Sequence, residues 1–573
     1  MKFSSLFTTL LASAAIVGAA FTPTPTKTKR WDKGFVSVKN GQFIRNGEPF
    51  TFLGTNAYWL PSLNTIEDIN KTIINIRDHG FTVIRTWAFN DVAEIPVNGT
   101  WFQHIANETL TINEGPNGLQ KLDAVVKLAE EAGVLLILSL TNNWNPLPAI
   151  DNTTEVSVDV PLGRRDVTVG TNNSLPRNTL SNDFGGMDAY VREFGHKKEH
   201  DEFYANQTIV ELFKNYTTTI VTRYKDSPAV LSWELANDPR CSSSINASIS
   251  CTTLTVTDWH TDVGNHVSSV DPNHIVSSGA GGFPCQNCPK RFPVTPPPTV
   301  SASPSRRKRY VKPFSMDRHI REEKEERKKT REVKKRELLQ RGEGLRIRGR
   351  WIASRQADTG SIQTTGPSFD GSTGVDSQDI SNIPSIGFSA FQFFPDQNDY
   401  SILGNDPNLS PVDNTIKQGT RWIQIQAELA GQINKPAVLT AFGVVTNDNL
   451  PFFVPFNETT PPFPNGVNSS VSSLQKRIDA VNGGVTNTEQ NTMYTTWIQA
   501  AAQQGVSVNF DQWSQSGLTT NQGSTVSQPN EETTDSTTNE ETTGSSPNDG
   551  YAYTAPTTGD VQDVLTSLTS LFG

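Results

Sequence analysis

Between residues 50 and 513 the chain repeats one pattern eight times: a short apolar run rich in β-branched and aromatic residues, then in most cases a stretch with helical periodicity. The runs fall at 50–58, 83–89, 134–142, 230–238, 274–279, 388–395, 436–443 and 506–513. Helical stretches such as TIEDINKTIINIRDHG, LQKLDAVVKLAEEAG and NQTIVELFKNYTTTIVTRYKD lie between them, each ending near a glycine or a charged stop. Strands alternating with helices imply βα units and a parallel sheet, and eight such units make a closed (β/α)8 TIM barrel the natural α/β architecture. One barrel absorbs some 250 residues or more, so the repeat reads as a single domain over residues 31–513. Reactive groups are expected at the carboxyl ends of the strands, where the loops gather.

The rest of the 573 residues frames that barrel. A hydrophobic share of 35% with 19% charged residues stands well clear of disordered chains. No internal apolar run reaches the ~18 residues of a membrane span, and the composition excludes collagen and coiled coil. Residues 1–20 have the form of a secretory signal peptide: Lys2, an apolar run from Leu6 to Val17, then Gly18, Ala19 and Ala20. Residues 21–30, closing on Lys29-Arg30, read as a pro-segment. Eleven N-x-[ST] acceptor sites agree with export, as do four cysteines in an even set, Cys241, Cys251, Cys285 and Cys288. Three pairings are open to those cysteines, of which Cys241–Cys251 and Cys285–Cys288 close the shortest loops. The expected location is therefore secreted and extracellular.

Two insertions interrupt the repeat, at 146–182 and 289–366. Within the second, Arg306 to Arg350 holds 19 Lys and Arg against 8 Asp and Glu, a local +11 in a chain whose net charge is −10. Its core, REEKEERKKTREVKKRELLQ, has helix formers and i,i+4 charge pairs but no apolar stripe, so it reads as an exposed single helix or a disordered arm. Residues 514–573 are Ser/Thr-rich and of low complexity. The stretch 514–558 has almost no aliphatic residues to offset ordering entropy, so a solvated, disordered C-terminal tail is expected there.

The segments GTNAYWL (54–60), VIRTWAFNDV (83–92), TNNW (141–144), DFGGMDAYV (183–191), the stretch 200–241 ending in VLSWELANDPRC, and DPNHIVSSG (271–279) resemble secreted endo-β-1,4-mannanases of glycoside hydrolase family 5. SNIPSIGFSAFQFFPD (381–396) and KPAVLTAFGVV (435–445) extend the likeness over most of residues 33–513. The resemblance implies a (β/α)8 barrel, β-1,4-linked mannan or glucomannan as the polysaccharide partner, a monomer, and no metal, cofactor, nucleic-acid or membrane-spanning requirement.

A retaining glycosidase holds two carboxyl groups ~5–5.5 Å apart, one as nucleophile and one as acid/base. The family's acid/base Glu follows Asn in A-N-E-P after strand 4; here the motif is Ala236-Asn237-Asp238-Pro239. Asp238 keeps the carboxyl but is shorter by one methylene. The family's nucleophile precedes Phe-Gly after strand 7, and that position is Ala441, whose methyl cannot form a glycosyl–enzyme bond. The family's His and Tyr near the end of strand 6 correspond to Gln392 and Phe394. Arg85 matches the strand 2 arginine that supports the catalytic centre, and Asn237 is placed to bond a sugar hydroxyl. Trp59, Trp87 and Trp144, with Trp513 after strand 8, are candidate sugar platforms. Asp91, Asp396 and Asp511 are the remaining strand-end carboxylates. The residues leave three readings: a hydrolase using Asp238 with Asp396 or Asp511, a non-catalytic polysaccharide-binding barrel, and a wall-associated interaction protein working through the basic insertion.

Overall fold

The computed structural model describes residues 34–97, 99–147, 180–294, 314–341, 345–347, 350–352, 365–463, 484–520, 542–552 and 561–572. The signal peptide, the pro-segment, and most of the first insertion lie outside them.

Eight parallel strands close on themselves: β1 (Leu53–Asn56), β2 (Val83–Trp87), β3 (Leu135–Ser139), β4 (Val230–Glu234), β5 (Ile275–Ser277), β6 (Ile386–Phe393), β7 (Ala437–Phe442) and β8 (Ser507–Phe510). The seam is made by β8 against β1, with Val508 opposite Leu53 and Phe510 opposite Thr55. Each strand falls inside or within two residues of its expected run, because continuous apolar β-rich segments are what a sheet covered on both faces requires. Gly54 serves this closure directly: a Cβ there would stand 2.4 Å from the Val83 carbonyl.

The helices pack outside. In α1 (Ile66–Asp78), Ile69, Ile73 and Ile76 face the barrel, and the Thr65 side chain caps the first turn by accepting from the Asp68 N–H. Further round are α2 (Leu119–Ala132), α3 (Gln207–Tyr224), α4 (Thr253–Val270), α5 (Met316–Gln340), α6 (Pro411–Gln432) and α7 (Asn487–Gln504). The last opens on a reciprocal Thr486/Glu489 capping box and ends on left-handed Gly505. The cysteines pair as Cys241–Cys251 and Cys285–Cys288. Of the acceptor asparagines in the described residues, Asn70, Asn107, Asn215, Asn246 and Asn457 are exposed and Asn206 and Asn408 half-buried.

The basic insertion contains α5, which is anchored rather than free. Its start packs on the main core through Met316 and Ile320, and the rest of its first half docks on α6 by charge: Arg421 meets Glu322 at 2.9 Å and Glu326 at 2.7 Å, Lys417 meets Glu323 at 2.9 Å, and Glu428 receives Arg318 and His319. From Arg331 to Glu337 every residue is exposed.

The C-terminal segment differs from the solvated tail expected of it. Ser516–Thr520 pairs antiparallel with Thr542–Ser545, residues 546–552 are buried or half-buried, and a helix at Val561–Leu568 buries Val561, Leu565 and Leu568. The few large residues, Leu518, Tyr551, Val561 and Leu565, supply the apolar contact that average composition conceals.

Exchanging both Arg421 and Lys417 for alanine should free α5 while leaving the barrel intact. Trypsin should then cut within 316–340 faster, and the barrel's unfolding free energy should change by no more than about 1 kcal/mol, as befits partly exposed ion pairs.

Candidate functional site

Arg85 lies at the middle of β2, whose neighbours bring it against Glu234, and both are almost wholly buried. Its Nη2 lies 2.5 Å from Glu234 Oε1, and its Nε donates to both carboxylate oxygens. The Ser139 hydroxyl donates to the same carboxylate at 2.6 Å. The other guanidinium edges reach outward, Nη1 to Asn56 Oδ1 at 3.0 Å and Nη2 to Asn237 Oδ1 at 2.8 Å. Gln392 Nε2 donates to that same Asn237 oxygen at 2.8 Å, while Asn237 Nδ2 donates to Asn142. Five strand ends are thus tied through one buried ion pair.

Above this floor lies a cleft with about 510 Å³ of empty space, lined by Arg85, Asn237, Asp238, Trp144, Gln392, Phe394 and Ala441 among others. These seven were picked out from sequence, and they converge at the carboxyl ends of β2, β3, β4, β6 and β7. Trp87 also lines it. The expectation that Trp59 and Trp513 offer stacking faces is corrected by their positions. Both are wholly buried; Trp513 packs edge-on against Phe81 and His79, and Trp59 belongs to the main core. An aromatic near a strand end in sequence can turn outward between barrel and helices, and the pattern alone does not distinguish the two directions.

Asp238 sits in the left-handed region at φ 49°. Its Oδ2 accepts from Arg240 Nε at 3.0 Å and Nη2 at 2.8 Å, and from Trp144 Nε1 at 3.1 Å; Oδ1 is buried without a partner. Ala441 faces an apolar cluster of Phe394, Val445, Leu450, Phe453, Phe463 and Tyr551. Thr440 points away, donating to the Phe391 carbonyl.

Of the other carboxylates, Asp91 anchors loops, accepting from Gln103 Nε2 and the Gly186 N–H. Asp396 accepts from the Val445 N–H and is not among the lining residues; burial raises it to about 7. Asp511 does line the cleft, beside Asp549 from the C-terminal segment. Burial raises Asp511 well above the carboxylate range, Asp549 adds to the effect, and burial lifts Asp549 to about 6. Asn56, Asp549, Tyr551 and Phe456 also line the cleft and were missed from sequence. The signal for two of them was the turn-forming Asn-Asp-Gly before Tyr551, in a segment otherwise nearly without aromatics. Among the described residues no group of three or more His, Cys, Asp or Glu could hold a metal ion, and no helix is long and apolar enough to cross a membrane.

A (β/α)8 barrel with polar groups converging at the carboxyl ends of its strands has the arrangement in which barrel enzymes place their sites. Residues 33–292 match the family model described as "GH family 5 beta-mannosidase-like". Mannan endo-1,4-beta-mannosidase A of Podospora anserina is 35% identical over 247 residues, 43% of this chain and 54% of the relative. Mannan endo-1,4-beta-mannosidase F of Aspergillus fumigatus is 34% identical over 264 residues, 46% of this chain and 49% of that one. The chain thus spans about half the length of the curated relatives it matches. The endo-1,4-beta-mannanase of Rhizomucor miehei shares the fold at a TM-score of 0.53 and 19% identity, over 94% of this chain and 98% of that one. The endo-1,4-beta-D-mannanase of Thermotoga petrophila does so at 0.53 and 20%, over 91% and 100%. Over residues 33–292 the chain is therefore similar to mannanase-like proteins of glycoside hydrolase family 5.

Replacing Glu234 with alanine should strand Arg85 as a buried, unpaired charge and cost about 3–5 kcal/mol in denaturant unfolding. The carboxyls at 511 and 549 carry a pH signature. Their raised values mean the fold holds protons; for Asp549 the stabilising contribution is full below about pH 4 and is lost as pH rises through about 6. Relative to the parent, Asp549→Asn should flatten the fall in stability between pH 4 and 8, by on the order of 2 kcal/mol.

Proposed function

We propose that this chain is an exported β-1,4-mannan-binding barrel in which the family's retaining double displacement is absent. The observation that carries the reading is the pairing of a preserved floor with altered carboxyl positions. Arg85, Asn237 and Gln392 are locked into one hydrogen-bonded array, whereas position 441, which the family resemblance makes the nucleophile, is a methyl in an apolar cluster. Without a carboxylate there, no glycosyl–enzyme bond can form. Asp238 stands at the acid/base position with its Oδ2 committed to Arg240 and Trp144. The second hydrogen of the Asn237 amide is left for a sugar hydroxyl. Two disulfides and exposed acceptor asparagines support passage through an oxidising, glycosylating route.

A second reading is favoured by Asp511: a buried carboxyl in the same cleft could activate water directly, with Asp238 as its partner, as inverting enzymes do.

Calorimetry with mannohexaose, alongside reducing-sugar release from β-mannan, tests both. The expected outcome is binding without release, weakened by Asn237→Ala. Because Tyr551 fills the space beside position 441, a restored nucleophile needs room. Ala441→Glu combined with Tyr551→Ala should therefore be the variant that gains activity. Release by the unmodified protein that Asp511→Asn abolishes would establish the second reading instead.

A further inference from the structure

The apolar pocket beside Ala441 is occupied by the chain itself. Tyr551 is 5% exposed, with its ring 5.1 Å from that of Phe394 and 5.8 Å from that of Phe453. Its hydroxyl accepts from Gln397 Nε2 at 2.9 Å, and the oxygen of the same amide accepts from the Phe456 N–H at 2.8 Å. Phe456 in turn stacks on Trp144 at 5.9 Å, covering a face that a sugar ring would use.

The backbone around Tyr551 is held as a bound peptide would be. Val454 N–H donates to the Asp549 carbonyl at 3.2 Å, Asn548 Nδ2 donates to Asn449 Oδ1 at 3.0 Å, and Asn449 Nδ2 donates to the Ala552 carbonyl. Within the turn, the Gly550 N–H donates to Asn548 Oδ1 at 2.8 Å. Gly550 has φ 107°, and a Cβ on it would lie 2.6 Å from Phe453 Cα, so only glycine passes. On the barrel side, a Cβ on Gly443 would lie 2.5 Å from the Tyr551 ring. Both glycines serve one close approach.

We infer that the pocket opened at position 441 is a peptide site, whose ligand is the chain's own Asn-Asp-Gly-Tyr turn at 548–551, and that this turn holds the cleft closed against glycan. The second clause rests on the glycan reading above; the first stands without it. A glutamate side chain at 441 would be pressed into the aromatic cluster that holds the Tyr551 ring, so a glutamate there and Tyr551 in its pocket compete for one space. The class of ligand is set by the contacts: an aromatic ring with a hydroxyl, preceded by a glycine in left-handed conformation.

The test places a thiol under the turn. With Ala441→Cys in the full chain, alkylation by iodoacetamide should be slow, and adding Gly550→Val or, separately, Tyr551→Ala should speed it about tenfold or more, as loss of a bound cover does. The peptide SPNDGYAY, added to the Gly550→Val form, should restore protection, and the same peptide with its first tyrosine replaced by alanine should not. Equal alkylation rates with and without Gly550→Val and Tyr551→Ala would overturn the inference. Mannohexaose should bind the Tyr551→Ala protein about tenfold more tightly than the parent. If the thiol is unmasked but mannohexaose binds neither form, the peptide site stands and the glycan reading falls. If mannohexaose binds both forms alike and the thiol is equally reactive in both, the glycan reading stands and the peptide site falls.

Discussion

The buried ion pair between Arg85 and Glu234 is the constraint on which the cleft depends. Two opposite charges out of water are tolerable only with close geometry and further hydrogen bonds to satisfy the remaining edges. Here Ser139 completes the carboxylate, and Asn56 and Asn237 complete the guanidinium. The demand for satisfaction passes outward, since Asn237 needs Asn142 and Gln392. A change at any of these positions would leave a polar group stranded in the barrel floor. The methyl of Ala441 has no polar group to satisfy and is under no such obligation. The hydrogen-bonded array on the floor can therefore stay fixed whatever side chain stands at position 441.

What was legible in the sequence follows from how each signal is encoded. The eight strands could be read because a sheet buried on both faces writes itself as a continuous apolar run, and the paired strands fall within those runs. The positions of Arg85, Asn237, Asp238 and Ala441 could be read because Arg85 and Ala441 lie within such runs and Asn237 and Asp238 close the run that carries β4. Trp59 and Trp513 were misjudged because the inward or outward turn of a residue just past a strand end depends on loop geometry that the residue type does not report. The C-terminal turn was missed because its information is concentrated in Gly550 and Tyr551, surrounded by Ser, Thr and Asn whose average points to solvent.

The basic insertion illustrates a different encoding. A helix with no apolar stripe ordinarily has no reason to settle on a protein surface. Yet α5 lies on α6 because Glu322, Glu323 and Glu326 recur at the spacing of one face and meet Lys417 and Arg421, spaced likewise on α6. Counting net charge over the insertion obscures this, since the acids are on the docked side and the bases dominate the free end. Hydrophobic periodicity was the wrong quantity to inspect; the periodicity of sign was the right one.

The turn carrying Tyr551 is tethered on both sides, by the strand pair of 516–520 with 542–545 before it and by the packed helix of 561–568 after it. Such a loop that leaves its pocket cannot diffuse away, and it stays at an effective concentration in the millimolar range or above. On the glycan reading proposed above, a polysaccharide entering the cleft competes against that standing concentration rather than against an empty site. A single short sugar would lose this contest, whereas a long polymer presenting many adjacent repeats to the same opening re-enters as often as the loop does. Tethering would thus make the cleft a discriminator of chain length, a selectivity that no individual contact in its wall supplies.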